Sequence, residues 1–254
     1  MADDPKSDPA LPDPVTHGLW AATAPPPPST EPLRDDVSCD VAVVGAGYTG
    51  LAAALHLAAA GAKVAVLEAA GIGFGGAGRN VGLVNAGMWV QPDEVTARLG
   101  ADRGNRLLDL LGDGPRRVFD LIARHAIACE AEPAGTLHCA VGSQGLAEIT
   151  ARAGQWQRRG ASVELLDADE TRRRIGGGAY AGALLDRRAG TIQPLAYARG
   201  LAAATLAAGG RIFTRSPVTA AEDGGTPQVL KAVGGSPTPG WVNVPPQPYC
   251  TGPW

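Results

Sequence analysis

Residues 40–50 read DVAVVGAGYTG, and this stretch decides the fold. The run Val41–Val44 is apolar and rich in β-branched residues, which predicts a buried strand of a parallel sheet. Three glycines follow at the spacing G-x-G-x-x-G, namely Gly45, Gly47 and Gly50. They open a segment rich in alanine and leucine, which predicts a helix that begins where the strand ends.

The segment after this helix completes a βαβ unit. Gly61 ends the helix, Val64–Leu67 predict a second parallel strand, and Glu68 closes that strand. Strand, helix, second strand and acidic residue stand in the order and spacing of a dinucleotide-binding fingerprint. This coincidence of four features favours a nucleotide site over a Rossmann-like unit that binds nothing.

Each residue type in the fingerprint has a mechanical task. Gly45 permits a tight turn, Gly47 lets the backbone approach a pyrophosphate, and Gly50 lets the helix pack closely on the strands. The free N–H groups and the positive dipole end of the helix then face the anion. Glu68 can accept hydrogen bonds from both hydroxyls of an adenosine ribose, and its charge would repel a 2′-phosphate.

A second glycine-rich stretch, GIGFGGAGRNVG at residues 71–82, indicates which dinucleotide binds. Six of its twelve residues are glycine, so the backbone can pass close to a flat or polar ligand. A simple nicotinamide-binding domain has no particular use for this loop, whereas an enzyme that wraps an extended FAD does. Arg79 and Asn80 would supply charge and amide hydrogen bonds toward the pyrophosphate or the flavin. A flexible surface loop is the alternative.

Residues 41–51 together with residues 73–80 resemble the FAD oxidoreductases of the D-amino-acid-oxidase type, and within them the branch that contains gamma-glutamylputrescine oxidases. The resemblance extends over roughly residues 19–218. That branch usually has a small hydroxyl residue shortly before its Gly-Arg-Asn, where this chain has Ala77. The resemblance implies a bound FAD whose adenine contacts the backbone near Val218.

The expected cofactor-binding residues combine the fingerprint with this resemblance: Gly45, Ala46, Gly47, Tyr48, Thr49, Gly50, Glu68, Ala69, Gly78, Arg79, Asn80 and Val218. No catalytic residue can be assigned, because the substrate-contacting groups of the family lie largely past the matching stretch. Family members also continue well past the position of Trp254, so we expect a C-terminally truncated chain.

The implied activity is that of an FAD-dependent oxidoreductase acting on a C–N bond of a small-molecule amine or amino acid. Flavin N5 would accept a hydride, the resulting imine would be hydrolysed, and an oxidase would release hydrogen peroxide. One alternative is a truncated, non-catalytic fragment that binds FAD weakly or not at all. Another is an NAD-dependent dehydrogenase, since the fingerprint and Glu68 alone would also fit NAD.

The expected fold class is α/β, with a Rossmann-like FAD-binding domain on a parallel sheet and a partial inserted α+β substrate domain. The FAD-binding domain would take residues 37–90 and 186–228, and the substrate domain residues 91–185. Residues 1–36 are rich in proline and are expected to be extended or disordered and unable to join a sheet. Residues 229–254 are expected to form an irregular proline-rich tail.

The pattern is helical from Gln91. Gly112–Pro115 interrupts it, which predicts two helices or one sharply kinked helix. A hairpin is expected around Gly135–Val141. The next helix would carry an inner face of Leu146, Ile149, Ala153 and Trp156. The remaining expected elements are strands at 163–166, 182–186 and 211–214, a helix capped by Asp167, and a helix that begins at Pro194. The resemblance implies a further strand at 241–244.

Length and composition suit a globular protein, with 254 residues of which 45% are hydrophobic and 19% are charged. The net charge of −3 argues against non-specific nucleic-acid binding. His56 and Lys63 interrupt the apolar run at 51–67, so no membrane span is expected. The four cysteines form no C-x-x-C pair, and His125 and His138 have no neighbours at metal-ligand spacing. We therefore expect reduced thiols, structural histidines, no metal and a cytoplasmic location.

Overall fold

The computed structural model describes residues 18–223, 228–232 and 240–244. The expectations of disorder in residues 1–17 and of a proline interruption in residues 245–254 lie outside the described residues. The helices are α1 (Gly18–Thr23), α2 (Tyr48–Ala59), α3 (Pro92–Leu99), α4 (Ala101–Gly112), α5 (Gly114–Arg124), α6 (Gly142–Arg158), α7 (Ala168–Ile175) and α8 (Pro194–Ala207). The strands are β1 (Val37–Ser38), β2 (Val41–Val44), β3 (Val64–Leu67), β4 (Leu83–Val84), β5 (Thr136–Ala140), β6 (Val163–Leu166), β7 (Gly182–Asp186), β8 (Gly190–Thr191), β9 (Arg211–Phe213), β10 (Val218–Asp223), β11 (Gln228–Ala232) and β12 (Gly240–Val244).

The chain divides into two compact units. Unit 1 comprises Met1–Asn80, Ile127–Cys129 and Pro194–Trp254, and unit 2 comprises Val81–Ala126 and Glu130–Gln193. The domain bounds expected from the sequence, between residues 90 and 91 and between residues 185 and 186, both lie inside unit 2.

Unit 1 is built on a three-stranded parallel sheet in the order β2–β3–β9. This confirms the expected α/β fold class with a parallel sheet and the expected place of the strand after α8. All four residues of the central strand β3 are buried, as its unbroken apolar sequence predicts. Helix α2 packs against α8, and its buried face consists of Leu51, Ala54, Leu55 and Ala58.

The second sheet of unit 1 has the order β1–β12–β11–β10. Here β10, β11 and β12 are antiparallel neighbours, and β12 pairs in parallel with β1. The strand expected at 241–244 is confirmed, and Val242 within it is fully buried. The expectation of an irregular segment from residue 229 is wrong over β11 and β12. Their sequences contain no proline, so every residue can donate to the ladder.

The expectation of disorder up to residue 36 is wrong for residues 18–36. Residues Gly18–Thr23 form α1, and Glu31 forms a parallel bridge with Phe213. Leu33 is fully buried, and its amide donates to Ser216 Oγ at 2.8 Å. The prolines in between do not prevent this, because the segment is attached at separate points and needs no continuous ladder.

In unit 2, β4 is followed by three helices, α3, α4 and α5, where the sequence predicted two helices or one kinked helix. The additional break falls at Gly100, whose φ of +77° is readily adopted by glycine and rarely by other residues. The expected break near Gly112–Pro115 separates α4 from α5, with Pro115 in the first turn of α5.

The larger sheet of unit 2 has the order β5–β7–β6, with antiparallel pairs throughout, and β4 pairs with β8 in a separate antiparallel ladder. Strand β5 therefore exists as expected but pairs with the distant β7, so the predicted local hairpin is wrong. Of the expected inner face of α6, Ile149, Ala153 and Trp156 are buried, whereas Leu146 is 37% exposed. Asp167 caps α7 as predicted, since its side chain accepts a hydrogen bond from the Glu170 amide at 2.8 Å.

Candidate functional site

A cavity of about 400 Å³ lies in unit 1 where β2 ends and α2 begins. Nine residues line it, and they come from the first glycine turn and from the second glycine-rich stretch: Val44, Gly45, Gly47, Tyr48, Thr49, Gly50, Gly76, Ala77 and Asn80. The carboxyl end of parallel strands is the usual place of ligands in open α/β sheets.

Two of the three fingerprint glycines are required by the fold itself. Gly45 has φ of +100°, and its amide donates to Leu67 O at 2.8 Å, which ties the turn to β3. A Cβ atom on Gly50 would lie 2.1 Å from Gly45 O and 3.2 Å from a methyl carbon of Val43. Only glycine therefore lets α2 begin this close to the preceding turn.

Gly47 is different, because no protein atom forbids a side chain there. Its φ of −89° and ψ of −176° suit any residue, and an added Cβ would meet only Ala77 Cβ at 3.8 Å. Gly47 and Ala77 both line the cavity. A side chain at residue 47 would thus take space from the cavity, so glycine here is suited to a ligand that approaches the backbone.

The first turn of α2 offers backbone donors to the same cavity. Among the described residues, no acceptor is bonded to the amides of Gly47, Tyr48, Thr49 or Gly50, and no side chain caps the helix. The Leu51 amide is the first that bonds within the helical ladder, to Gly47 O at 2.9 Å. These donors and the positive dipole end of α2 fit a diphosphate such as that of FAD.

Glu68 connects the glycine turn to the end of β3. Its Oε2 accepts a hydrogen bond from the Ala46 amide at 2.7 Å, and its Oε1 accepts one from the Ala70 amide at 2.9 Å. A carboxylate has about four lone-pair sites, so both oxygens retain capacity for ribose hydroxyls. The carboxylate also fixes the peptide of Ala46, whose carbonyl accepts a hydrogen bond from the Gly73 amide at 3.0 Å.

Asn80 holds the second glycine-rich stretch against α2. Its side-chain amide donates to Gly76 O and Ala77 O, each at 3.0 Å, and to Tyr48 Oη at 3.1 Å. Tyr48 in turn donates to Pro194 O at 3.0 Å. Burial raises the pKa of Tyr48 to about 12, so its hydroxyl stays protonated and able to donate at neutral pH.

Six of the twelve expected cofactor-binding residues do not line this cavity, and two of them are Ala46 and Glu68, described above. Gly78 is buried in the short 3₁₀ turn Gly76–Gly78, and Ala69 is exposed. The exposed Arg79 guanidinium lies 4.3 Å from the centroid of the Phe74 ring, and Val218 begins β10.

Sequence reasoning missed three lining residues, Val44, Gly76 and Ala77. Val44 could have been found from its place, because the last residue of a strand before a glycine turn faces the usual ligand crevice. Gly76 and Ala77 belong to the second glycine-rich stretch, but no local pattern separates the residues that line the cavity from their neighbours.

Unit 2 contains a cavity of its own, of about 310 Å³. Arg152 lies in its wall, is 6% exposed, and donates from its two terminal nitrogens to Met88 O and Trp89 O. The Trp89 ring stands edge-on to His138, with 5.1 Å between centroids. The cavity thus combines aromatic surface with one buried guanidinium, and a loop carbonyl pair holds that guanidinium in place.

We expect His138 to make the protein less stable in acid. Burial, and secondarily the Arg152 charge, hold the pKa of His138 below its ordinary value of 6.5. The unfolded chain then binds the proton more tightly, so stability falls as pH drops through about 6.5 and levels off below the folded pKa. Urea unfolding at pH 7.5 and pH 5.5 should show a smaller acid loss for His138→Gln than for the unchanged protein. An equal loss in both would contradict this role of His138.

Further features of the described residues bear on the other expectations. In residues 18–223, 228–232 and 240–244, no group of three His, Cys, Asp or Glu side chains is arranged to hold a metal ion. Cys39 and Cys129 are buried thiols, Cys139 is a half-buried thiol, and Cys250 lies outside the described residues. No helix within the described part has both the length and the apolar character to cross a membrane.

Comparison with known proteins adds a family match. The family described as FAD dependent oxidoreductase (DAO) matches residues 40–254. The chain is 38% identical over 230 residues to a gamma-glutamylputrescine oxidoreductase of Escherichia coli, covering 90% of this chain and 54% of that protein. It is 32% identical over 189 residues to a probable oxidoreductase, OrdL, of Haemophilus influenzae, covering 74% of this chain and 44% of that protein. The chain therefore spans about half the length of these relatives.

Solved structures show the same fold at lower identity. A glycine oxidase from Geobacillus kaustophilus superposes with a TM-score of 0.65 at 22% identity, covering 78% of this chain and 52% of that chain. An L-amino acid deaminase from Proteus vulgaris superposes with a TM-score of 0.66 at 16% identity, covering 87% and 48%.

Proposed function

Because this chain belongs to the family of FAD-dependent oxidoreductases, whose cofactor is FAD, we propose that unit 1 binds the FAD diphosphate in the cavity at the start of α2. This proposal depends on one combination of features at residues 47–50, amide donors next to an open space. Their amides have no acceptor among the described residues, and the side-chain direction of Gly47 is open only toward the cavity. Backbone donors around an open, glycine-lined space suit a diphosphate.

The residues around this cavity have separate tasks in the proposal. Gly47, Tyr48, Thr49 and Gly50 supply amide donors to the diphosphate, and Glu68 receives the ribose hydroxyls while it holds the Ala46 peptide. Asn80 keeps the Gly76–Gly78 turn against Tyr48, so the wall of the cavity is formed before the cofactor arrives. Such preorganisation reduces the ordering cost of binding.

The reaction in this proposal is oxidation of a C–N bond in an amine or amino acid. When bound, flavin would supply the two-electron oxidation of the carbon next to nitrogen, with water to hydrolyse the resulting imine and dioxygen as the final electron acceptor. The names of the relatives support an amine or amino acid as the substrate class, since they include a gamma-glutamylputrescine oxidoreductase and a glycine oxidase. The Arg152 cavity of unit 2 is the candidate substrate pocket in this proposal. Its guanidinium would attract a substrate carboxylate in competition with Glu148, whose Oε1 lies 3.5 Å from Arg152 Nη2.

An absorption spectrum of the purified 254-residue chain, followed by an assay, tests this function. We expect two visible flavin bands that stay with the protein through gel filtration after FAD is added. Addition of candidate amines and amino acids should then bleach the bands under nitrogen and release peroxide in air. A colourless chain that retains no added FAD would overturn the cofactor assignment.

Flavin bands without bleaching by any amine or amino acid would point to the second candidate, a flavin-binding piece without catalysis of its own. The observation that favours this candidate is that the chain spans only 54% of the gamma-glutamylputrescine oxidoreductase.

A further inference from the structure

The segment from α1 to Leu33 is fastened to unit 1 at several separate points. Arg199 Nη1 donates to Pro25 O at 2.6 Å, and the hydroxyls of Thr30 and Thr214 lie 2.9 Å apart. These contacts hold the segment along α8 and β9. They lie away from the residues that line the cavity.

A further contact of this segment differs from these, because its partner, Asn80, lines the cavity. The indole Nε1 of Trp20 donates to the backbone carbonyl of Asn80 at 3.0 Å. Asn80 lines the cavity, and its side chain spans the gap between the Gly76–Gly78 turn and Tyr48. The contact joins residues 60 positions apart, so it is a tertiary contact and not part of a local turn.

A hydrogen bond to the Asn80 carbonyl limits rotation of the peptide that follows Asn80, and so restrains the backbone from which the Asn80 side chain extends. The two N–H groups of that side chain are shared among three acceptors, Gly76 O, Ala77 O and Tyr48 Oη. Tyr48 completes the series by donating to Pro194 O at the start of α8. Trp20 is thus connected to the cavity wall through Asn80, whose backbone accepts the indole N–H and whose side chain donates to Tyr48 and the Gly76–Gly78 turn.

We propose that Trp20 is a positioning residue for the FAD site, acting through Asn80 on the Gly76–Gly78 turn. This rests on the proposed function, because the cavity it shapes is the one assigned to FAD. The residue touches neither the cavity nor the reacting atoms, so its contribution is to keep the wall in the binding geometry before FAD enters. Its loss should weaken FAD binding without changing the chemistry of the bound flavin.

Trp20→Phe tests this proposal, since it removes the N–H donor and retains most of the ring. We expect the FAD dissociation constant, measured by fluorescence quenching, to rise about fivefold, the effect of one lost neutral hydrogen bond. Hydrogen exchange of the FAD-free protein should also become faster in residues 76–80. The matched control is Arg199→Met, which removes another attachment of the same segment, the bond to Pro25 O. It should leave both readings unchanged.

The outcomes separate the two proposals. An unchanged dissociation constant in Trp20→Phe would overturn the positioning role, and so would equal weakening in Trp20→Phe and Arg199→Met, because general attachment of the segment would then suffice. If the unchanged protein binds no FAD, the proposed function fails. The exchange rates of residues 76–80 then still decide whether Trp20 orders the turn.

Discussion

Gly47→Asp is expected to weaken FAD binding by about 100-fold or more, because like charges brought together in a binding site cost several kcal/mol and each 1.4 kcal/mol is tenfold. The new carboxylate would lie in the cavity beside Ala77, where the diphosphate is proposed to bind. The backbone at residue 47 is extended, so the variant should keep the fold. Titration of the FAD-free protein with FAD, followed by flavin fluorescence, measures the loss, and far-UV circular dichroism verifies the fold.

Gly47→Asn is the control for this experiment, because asparagine has nearly the same size without the charge. We expect FAD to bind Gly47→Asn about tenfold more tightly than Gly47→Asp, because the asparagine side chain takes space in the cavity but carries no charge. Equal losses in the two variants would mean that the site repels bulk and not negative charge. Unchanged binding in Gly47→Asp would place the cofactor away from this turn.

Gly50→Ala should lower the free energy of unfolding by about 3 kcal/mol, the upper part of the range for overpacking. The added Cβ would lie 2.1 Å from Gly45 O and 3.3 Å from Gly45 C, both atoms of the backbone. Neither can move without opening the turn between β2 and α2. A loss of stability would be informative in itself, because alanine is otherwise favoured over glycine in helices by about 1 kcal/mol. Urea unfolding followed by circular dichroism measures the change.

Gly154→Ala in α6 provides the comparison, because it is also a glycine within a helix. There the nearest atom to an added Cβ is the flexible end of Arg158, at 3.8 Å. We expect a gain of about 0.5 to 1 kcal/mol from helix propensity alone. If both variants were stabilised, the close approach of Gly50 to Gly45 would not be a determinant of the fold.

The parts of the fold that the sequence predicts well are those fixed by local patterns. Strand β2, helix α2 and strand β3 follow from apolar runs separated by glycines, and all three form where expected. The expectation that β2 is buried is wrong, because its first three residues are only half-buried and Val44 is 62% exposed. The cap at Asp167 is equally local. Such features depend on residues a few positions apart, which is the range over which propensity and periodicity operate.

The features that sequence reasoning missed depend on distant contacts. The proline content before residue 36 suggested disorder, but the segment is ordered by partners such as Asn80 and Thr214. Strand β5 has a strand pattern, yet nothing local reveals that its partner is β7. In the candidate site, the fingerprint indicates a ribose role for Glu68. Only the coordinates show that both its oxygens also hold backbone amides.

The order of segments in unit 1 has a consequence for synthesis of the chain. Strand β3 receives its second partner only when Phe213 has been made, and β1 pairs with β12 near the other end of the sequence. At the usual ribosomal rates, the apolar edge of β3 stays without its second partner for roughly seven to thirty seconds while the whole of unit 2 is translated. During that interval β2, α2 and β3 present uncovered apolar surface. Nascent chains of this protein are therefore expected to need protection from aggregation until β9 emerges.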